Sequence, residues 1–308
     1  MMHVPFIGSG PYCYANSFAM MFGDRAPSTA VIEFAIGGPF GMQLVGGTLP
    51  FFDPYGWTPE AGFDDALAAL GWTSAVRRGG TAEQALAALA AALADGPVWV
   101  GPVEMGHLRH QPGMAGPIGA DHYVVVLGLG EGRVLMHDPE GHPYATLPVE
   151  DFMTAWRAES VDYATPYTMR TAFRRLREVS EAAAIEAALP AARRWLSMAT
   201  GRHLPAGTIG NSAAAERLAE MIEAGCDRGL RDHLVLFAVR VGARRVADAA
   251  TCLARIGRGE AARIMDGQAR LIGALQHPLV AGDDAAAGSL LRRLAPTYAE
   301  LLAALQAG

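Results

Sequence analysis

The chain has 308 residues, 51% of them hydrophobic and 18% charged, which is enough to build two folded domains and too apolar for wholesale disorder. A net charge of −6 with a pI near 5.8 argues against a nucleic-acid partner, which calls for a basic stripe. All 25 basic residues are arginine, so Schiff-base chemistry and a lysine general base are excluded.

The cysteines are Cys13, Cys226 and Cys252. They are few, odd in number and not spaced as metal ligands, which fits a reduced, cytoplasmic setting. The N-terminus shows no basic region followed by an apolar run, and no long uncharged apolar window occurs. Neither a signal peptide nor a membrane-spanning helix is expected.

A helix is expected to begin at Tyr12–Cys13, behind Gly8-Ser9-Gly10-Pro11, with Ala15, Phe18, Ala19 and Phe22 on one face and Gly23 as its stop. A second helix spans 82–95: Thr81 and Gln84 form a capping box, Leu86, Leu89 and Leu93 make the apolar face, and Gly96 ends it. Strand-like runs follow at 98–105, 123–128 and 133–137. Pro148 opens another helix, with Phe152 and Trp156 turned inward. From about Thr171 strand signals nearly vanish, and Ala, Leu, Arg and Glu recur at helical spacing over 213–224, 232–256 and 289–305. The expectation is an α+β domain over 1–170 and an all-α domain over 171–308.

A cysteine at a helix start gains from the positive end of the helix dipole and from N–H groups without intrahelical partners. Both favour the thiolate, and the same N–H groups can hold an oxyanion. The bland alternative for Cys13 is a buried structural thiol. The segment 121–139 reads as two strands around a Gly-rich turn. If the turn is centred on Gly130, cross-strand partners have numbers summing to 260, and His122 stands directly opposite Asp138. The carboxylate would then fix the imidazole tautomer and stabilise its charged form, while His137 points to the other face. This register needs a loop with an odd number of residues, because a one-residue slip exchanges the faces. Taken singly, His122 also fits a strand-edge histidine and Asp138 a turn-forming Asp-Pro.

The order of a helix-start Cys13, a strand-opening His122 and Asp138-Pro139 closing the next strand resembles papain-like cysteine peptidases of the bacteriocin-leader-processing kind. With the segment from Gly96 to Leu108 and a helical second half over 180–308, the chain more closely resembles the butirosin-biosynthesis H protein family, a likeness covering nearly the whole length. The resemblance implies a papain-like catalytic domain followed by a helical domain. It also implies an acyltransferase that takes an acyl group from a carrier-protein or CoA-like thioester and passes it to an amine in specialised metabolism such as antibiotic biosynthesis. Cys13 would be the nucleophile, His122 the general base and acid, and Asp138 its orienter. No cofactor would be bound permanently; a phosphopantetheine-carried thioester would be the donor substrate. Papain-like peptidases carry a Gln about six residues before the Cys, where this chain has Ile7. The oxyanion donor is therefore open, with Ser9, Tyr12 and Asn16 as candidates. Two other readings stand beside the transferase: a cysteine peptidase or amidase with water as acceptor, and a catalytically silent binding module.

Glu104 and His107, with His110 nearby, are candidates for the substrate pocket wall, Glu104 contacting an amine acceptor; a solvated loop is the alternative. A metal site at these histidines with His137 and His142 is not expected, since the spacing is not that of a helical ligand pair. Gly37-Gly38-Pro39-Phe40-Gly41 and Gly46-Gly47 read as turns rather than a phosphate loop. Phe51, Phe52, Tyr55 and Trp57 suit either an acyl pocket or core packing. Arg174, Arg175 and Arg177, and Arg240, Arg244 and Arg245, are either solvated or dock an acidic carrier protein. Cys226 and Cys252 read as core. The expected partners are an acyl carrier protein or small thioester and a small-molecule amine, with no nucleic acid and no membrane, and with a homodimer as an option.

Overall fold

The structure, a computed structural model, describes residues 11–199 and 203–307. It is mixed α and β, and the chain divides into two compact units. The sheet unit holds residues 12–29 and 71–178; the helical unit holds 30–70 and 179–307. This differs from a single cut at 170, for two reasons. Residues 30–70 pair and pack with partners more than a hundred residues later, and 169–175 form a strand inside the large sheet.

The sheet unit runs α1 (Cys13–Phe22), β1 (Trp72–Arg77), α2 (Ala82–Ala92), β2 (Val98–Glu104), β3 (Asp121–Gly130), β4 (Arg133–Asp138), β5 (His142–Pro148), α3 (Val149–Arg157) and β6 (Met169–Arg175). The strands form one antiparallel sheet in the order β1-β6-β2-β3-β4-β5. Alternation along β2 and β3 sends Val98, Val100, Val124 and Val126 into a core closed by Leu89 of α2 and by Phe152 and Trp156 of α3. The alternate residues Trp99 and Tyr123 join an aromatic stack with Tyr14 and Phe18 of α1. The capping box at Thr81 and Gln84 forms with both of its hydrogen bonds, and α2 ends at Ala92, ahead of Gly96. Pro148 is the N-cap of α3 rather than its first helical residue.

In the helical unit, 232–256 is one helical run interrupted by a π-helical segment, Leu234–Ala238. The expected helix over 289–305 is two helices, Asp284–Leu294 and Thr297–Ala307, broken at Ala295-Pro296 because Pro296 has no N–H to continue the ladder. A three-stranded sheet joins Leu49–Phe51, Gln43–Val45 and Ile209–Gly210. Phe52 and Trp57 are buried here, as core residues. Gly242 is a close approach: a Cβ there would lie 2.5 Å from the Cβ of Phe52. Arg245, expected among the solvated or docking arginines, is 5% exposed. It bonds Glu33 (2.7 Å) and Asp53 (3.4 Å) and lies over the Trp57 ring.

Candidate functional site

The site is assembled at the end of the hairpin β3–β4. Its turn is the two-residue Glu131-Gly132, with φ of 51° and 71°, and Gly130 pairs with Arg133. That even-numbered turn corrects the expected register, and taken alone it would put His122 and Asp138 on opposite faces. A bulge restores the face: Gly128 pairs with Leu135 but Val126 with Met136, so Leu127 is an extra residue on β3. Val125 then pairs with His137, and Asp138 sits diagonally from His122 on the same face rather than directly opposite. His137 lies half-buried, its Nδ1 accepting the N–H of Tyr144 (3.1 Å).

His122 and Asp138 are 2% and 3% exposed. His122 Nε2 lies 2.7 Å from Asp138 Oδ1, and the His122 ring also hydrogen-bonds the Cys13 side chain. With Nε2 committed to Asp138, Nδ1 is the nitrogen left for the sulfur. Cys13 is the first residue of α1 and is half-buried. One turn on, Ser17 Oγ donates to the carbonyl of Tyr123 (3.1 Å), which ties α1 to the residue after His122. Ser17 thus sets where Cys13 lies against the histidine, a role the sequence reading did not assign.

Burial disfavours a charged His122, but the hydrogen bonds and charges of Asp138 and Cys13 outweigh it and raise its pKa to about 10. Burial likewise opposes the Asp138 carboxylate. Hydrogen bonds from His110 and His122, with the His122 charge, hold its pKa well below the ordinary range. The arrangement favours an imidazolium hydrogen-bonded to the Asp138 carboxylate at neutral pH, with the Cys13 sulfur on the same ring. In Cys252, by contrast, burial pushes the thiol up to about 12.

Asp138 has further partners. Its Oδ1 accepts the N–H of Glu140 (2.8 Å), and Oδ2 faces His110 Nε2 (2.7 Å) and accepts from Gln111 Nε2 (2.6 Å). Gln111 was missed at the sequence level, and His110 was considered only for the pocket wall or a metal. Glu104 is corrected. It is 1% exposed, and its carboxylate accepts the N–H groups of Gly106 (3.1 Å), Ile118 (3.0 Å) and Gly119 (3.0 Å) and the Ser160 hydroxyl. Burial works against its charge, but these bonds outweigh it and lower its pKa. It is an internal staple with no face for an amine substrate. His107 is half-buried on the 3₁₀ turn after β2 and has no side-chain hydrogen bond among the described residues.

Of the oxyanion candidates, Tyr12 is the buried N-cap of α1, and its carbonyl accepts the N–H of Asn16 (2.8 Å). Asn16 is half-buried one turn after Cys13. Ser9, like Ile7, lies outside the described residues. Among the described residues no group of three His, Cys, Asp or Glu is placed to hold a metal ion, and no helix is long and apolar enough to cross a membrane.

Residues 205–306, within the helical unit, match the family model of the YobF C-terminal domain. The chain is also similar to "Uncharacterized protein YobF" of Bacillus subtilis (strain 168), 29% identical over 161 residues. That alignment covers 51% of this chain and 52% of the relative, so the chain spans about half the length of the curated protein it matches.

Proposed function

We propose that the sheet unit is a papain-like catalytic domain and that the chain is an acyltransferase working through an acyl-Cys13 intermediate. The observation that carries this is the chain Cys13–His122–Asp138, in which one buried imidazole bonds both the sulfur and the carboxylate. The Cys13 thiolate attacks the carbonyl carbon of a thioester, and the collapsing adduct breaks the bond to the donor sulfur. His122 gives its proton to that leaving thiolate. An amine then attacks the acyl-Cys13 carbonyl and loses its proton to His122, and the Cys13 thiolate leaves. Asp138 stays ionised throughout and stabilises the imidazolium. The preference for an amine over water as acceptor, and for a carrier-borne donor in the cytoplasm, rests on the resemblance to butirosin-biosynthesis H proteins.

The test is intact-mass measurement after incubation with a panel of acyl-CoA and acyl-pantetheine thioesters. The expected result is a single acyl adduct, lost in Cys13→Ala and retained in Cys226→Ala and Cys252→Ala. Faster release by added amines than by water supports transfer, and the reverse ordering makes the chain a hydrolase. A folded protein that takes no adduct across the panel is a binding module.

A further inference from the structure

We propose that His110 and Gln111 are positioning residues that hold Asp138 on His122, and that the closed loop 105–120 carrying them is the device that does so. The proposal rests on the triad reading above and deepens it.

Asp138 receives two donors on each oxygen: His122 and the Glu140 N–H on Oδ1, His110 and Gln111 on Oδ2. That fills the acceptor capacity of an ionised carboxylate. A rotation of the carboxylate that frees Oδ1 from His122 must therefore break the Oδ2 pair as well. Without that pair, Glu140 alone would remain to oppose the rotation.

The bonding also indicates what kind of help His110 gives. Its Nδ1 is buried and has no hydrogen-bond partner among the described residues. A proton there would be a buried, unpaired donor, so the form that fits is neutral, with the proton on Nε2 and donated to Asp138. A neutral donor on the far oxygen adds no charge to the site, and its contribution is geometric.

The loop is built to be rigid. Its ends are clasped by Glu104, which takes the N–H of Gly106 at one end and those of Ile118 and Gly119 at the other. The Met105 N–H donates to Ala120 (2.9 Å) and the Gly116 N–H to Gly106 (3.0 Å). At Gly106 a Cβ would lie 1.9 Å from the Gly116 carbonyl oxygen, so the two arms of the loop touch where only glycine fits. Leu108, two residues before His110, is buried in the core beneath the sheet. The buried Glu104, left without a substrate, acts through this loop.

The groups facing the pair are these. Asp138 from β4 and Cys13 from α1 face His122; His110 and Gln111 from the loop face Asp138; the ring of His142 on β5 lies edge-on to His110 at 5.4 Å between centroids.

The experiment is a ring-nitrogen NMR titration of His122 in the full chain, comparing wild type with His110→Asn, His110→Gln and Gln111→Met. Asparagine is too short to reach Oδ2, whereas the glutamine amide nitrogen reaches the place of Nε2. In the wild type His122 is expected to titrate far above its ordinary 6.5, near pH 10. His110→Asn is expected to lower that midpoint by about one pH unit, a tenfold loss of proton affinity, with His110→Gln restoring it. Gln111→Met moves it in the same direction by less, and decides the matter if His110→Asn does not fold. A rise in the midpoint means that His110 merely draws charge from the carboxylate and overturns the proposal. An unchanged midpoint overturns it too. The titration needs no substrate. An adduct on Cys13 without a midpoint shift sinks the positioning role alone, and a shift without an adduct sinks the acyl chemistry alone.

Discussion

In the helical unit the buried carboxylate of Glu33 is answered by the guanidinium of Arg245 (2.7 Å), which also reaches Asp53 (3.4 Å) beside the Gln43 amide (2.6 Å); in the sheet unit those of Glu104 and Asp138 are answered by backbone N–H groups, a hydroxyl, an amide and two imidazoles, with no guanidinium among these partners. Arginine keeps its proton at any working pH and grips a carboxylate with a rigid fork. Arg245 therefore keeps its charge and the Glu33–Arg245–Asp53 cluster serves packing, joining the start of the helical unit to its helix Val239–Arg255. The sheet unit instead sets against Asp138 an imidazole, His122, that gains and loses a proton at a strongly raised pKa. Perturbed, exchangeable protons concentrated at one place are the mark of a site rather than of a scaffold.

The largest expected effect separates the units by pH. His122 holds its proton to about pH 10 in the fold, against 6.5 ordinarily. The stabilisation from its raised pKa is fully present below about pH 6.5 and is lost as the pH rises through 10. At about 1.4 kcal/mol for each tenfold in proton affinity, that is several kcal/mol. Asp138, with its lowered pKa, behaves oppositely: its contribution is present above about 3.8 and drains away as the pH falls below that. Hydrogen exchange under mild urea, corrected for the intrinsic pH dependence, should show β3 and β4 loosening between pH 6.5 and 10.5 while the helix Val239–Arg255 holds. A flat response of β3 and β4 breaks the contrast.

The second effect belongs to the helical unit. Arg245→Met keeps much of the side-chain volume but leaves Glu33 and Asp53 buried without their cation. Removing one partner of a buried ion pair costs about 3–5 kcal/mol. The loss is expected in urea unfolding at neutral pH and should shrink as the pH falls and the carboxylates take up protons. A cost below about 1 kcal/mol, the range of exposed pairs, would show that the cluster is solvated in practice.

Sequence patterns had made part of this legible. Capping chemistry is local, so Thr81 and Gln84 marked α2 directly. The Val-rich runs marked β2 and β3, and residue type and order picked out Cys13, His122 and Asp138, which the structure brings together. The bulge at Leu127 was hidden because it lies in an unbroken apolar run, where an extra residue disturbs no alternation. Strand β6 was hidden because its residues 170, 174 and 175 are arginines, which read as a helical surface, although Arg170 is wholly buried. Arg245 and Arg244 are adjacent and chemically identical; only the distant Glu33 and Asp53 single out Arg245 as the buried ligand. His110 and Gln111 sit in a loop, and no periodicity states what a loop reaches.

The smallest effect sharpens the comparison from the other side. Glu104→Gln keeps shape and burial but replaces one acceptor oxygen with a donor. Whichever way the amide turns, its NH₂ must face either the N–H groups of Gly106 and Ile118 or the N–H of Gly119 and the hydroxyl of Ser160. Leaving buried donors unanswered costs about 1–3 kcal/mol, less than Arg245→Met because no charge is stranded. Hydrogen exchange should quicken at Gly106, Ile118 and Gly119 before it does in β3. If the cost of Glu104→Gln instead equals or exceeds that of Arg245→Met, neutral donors fix a buried carboxylate as firmly as a guanidinium does. The donors around Glu104 would then be no weaker a scaffold than the arginine cluster, and only the titration of His122 would set the two units apart.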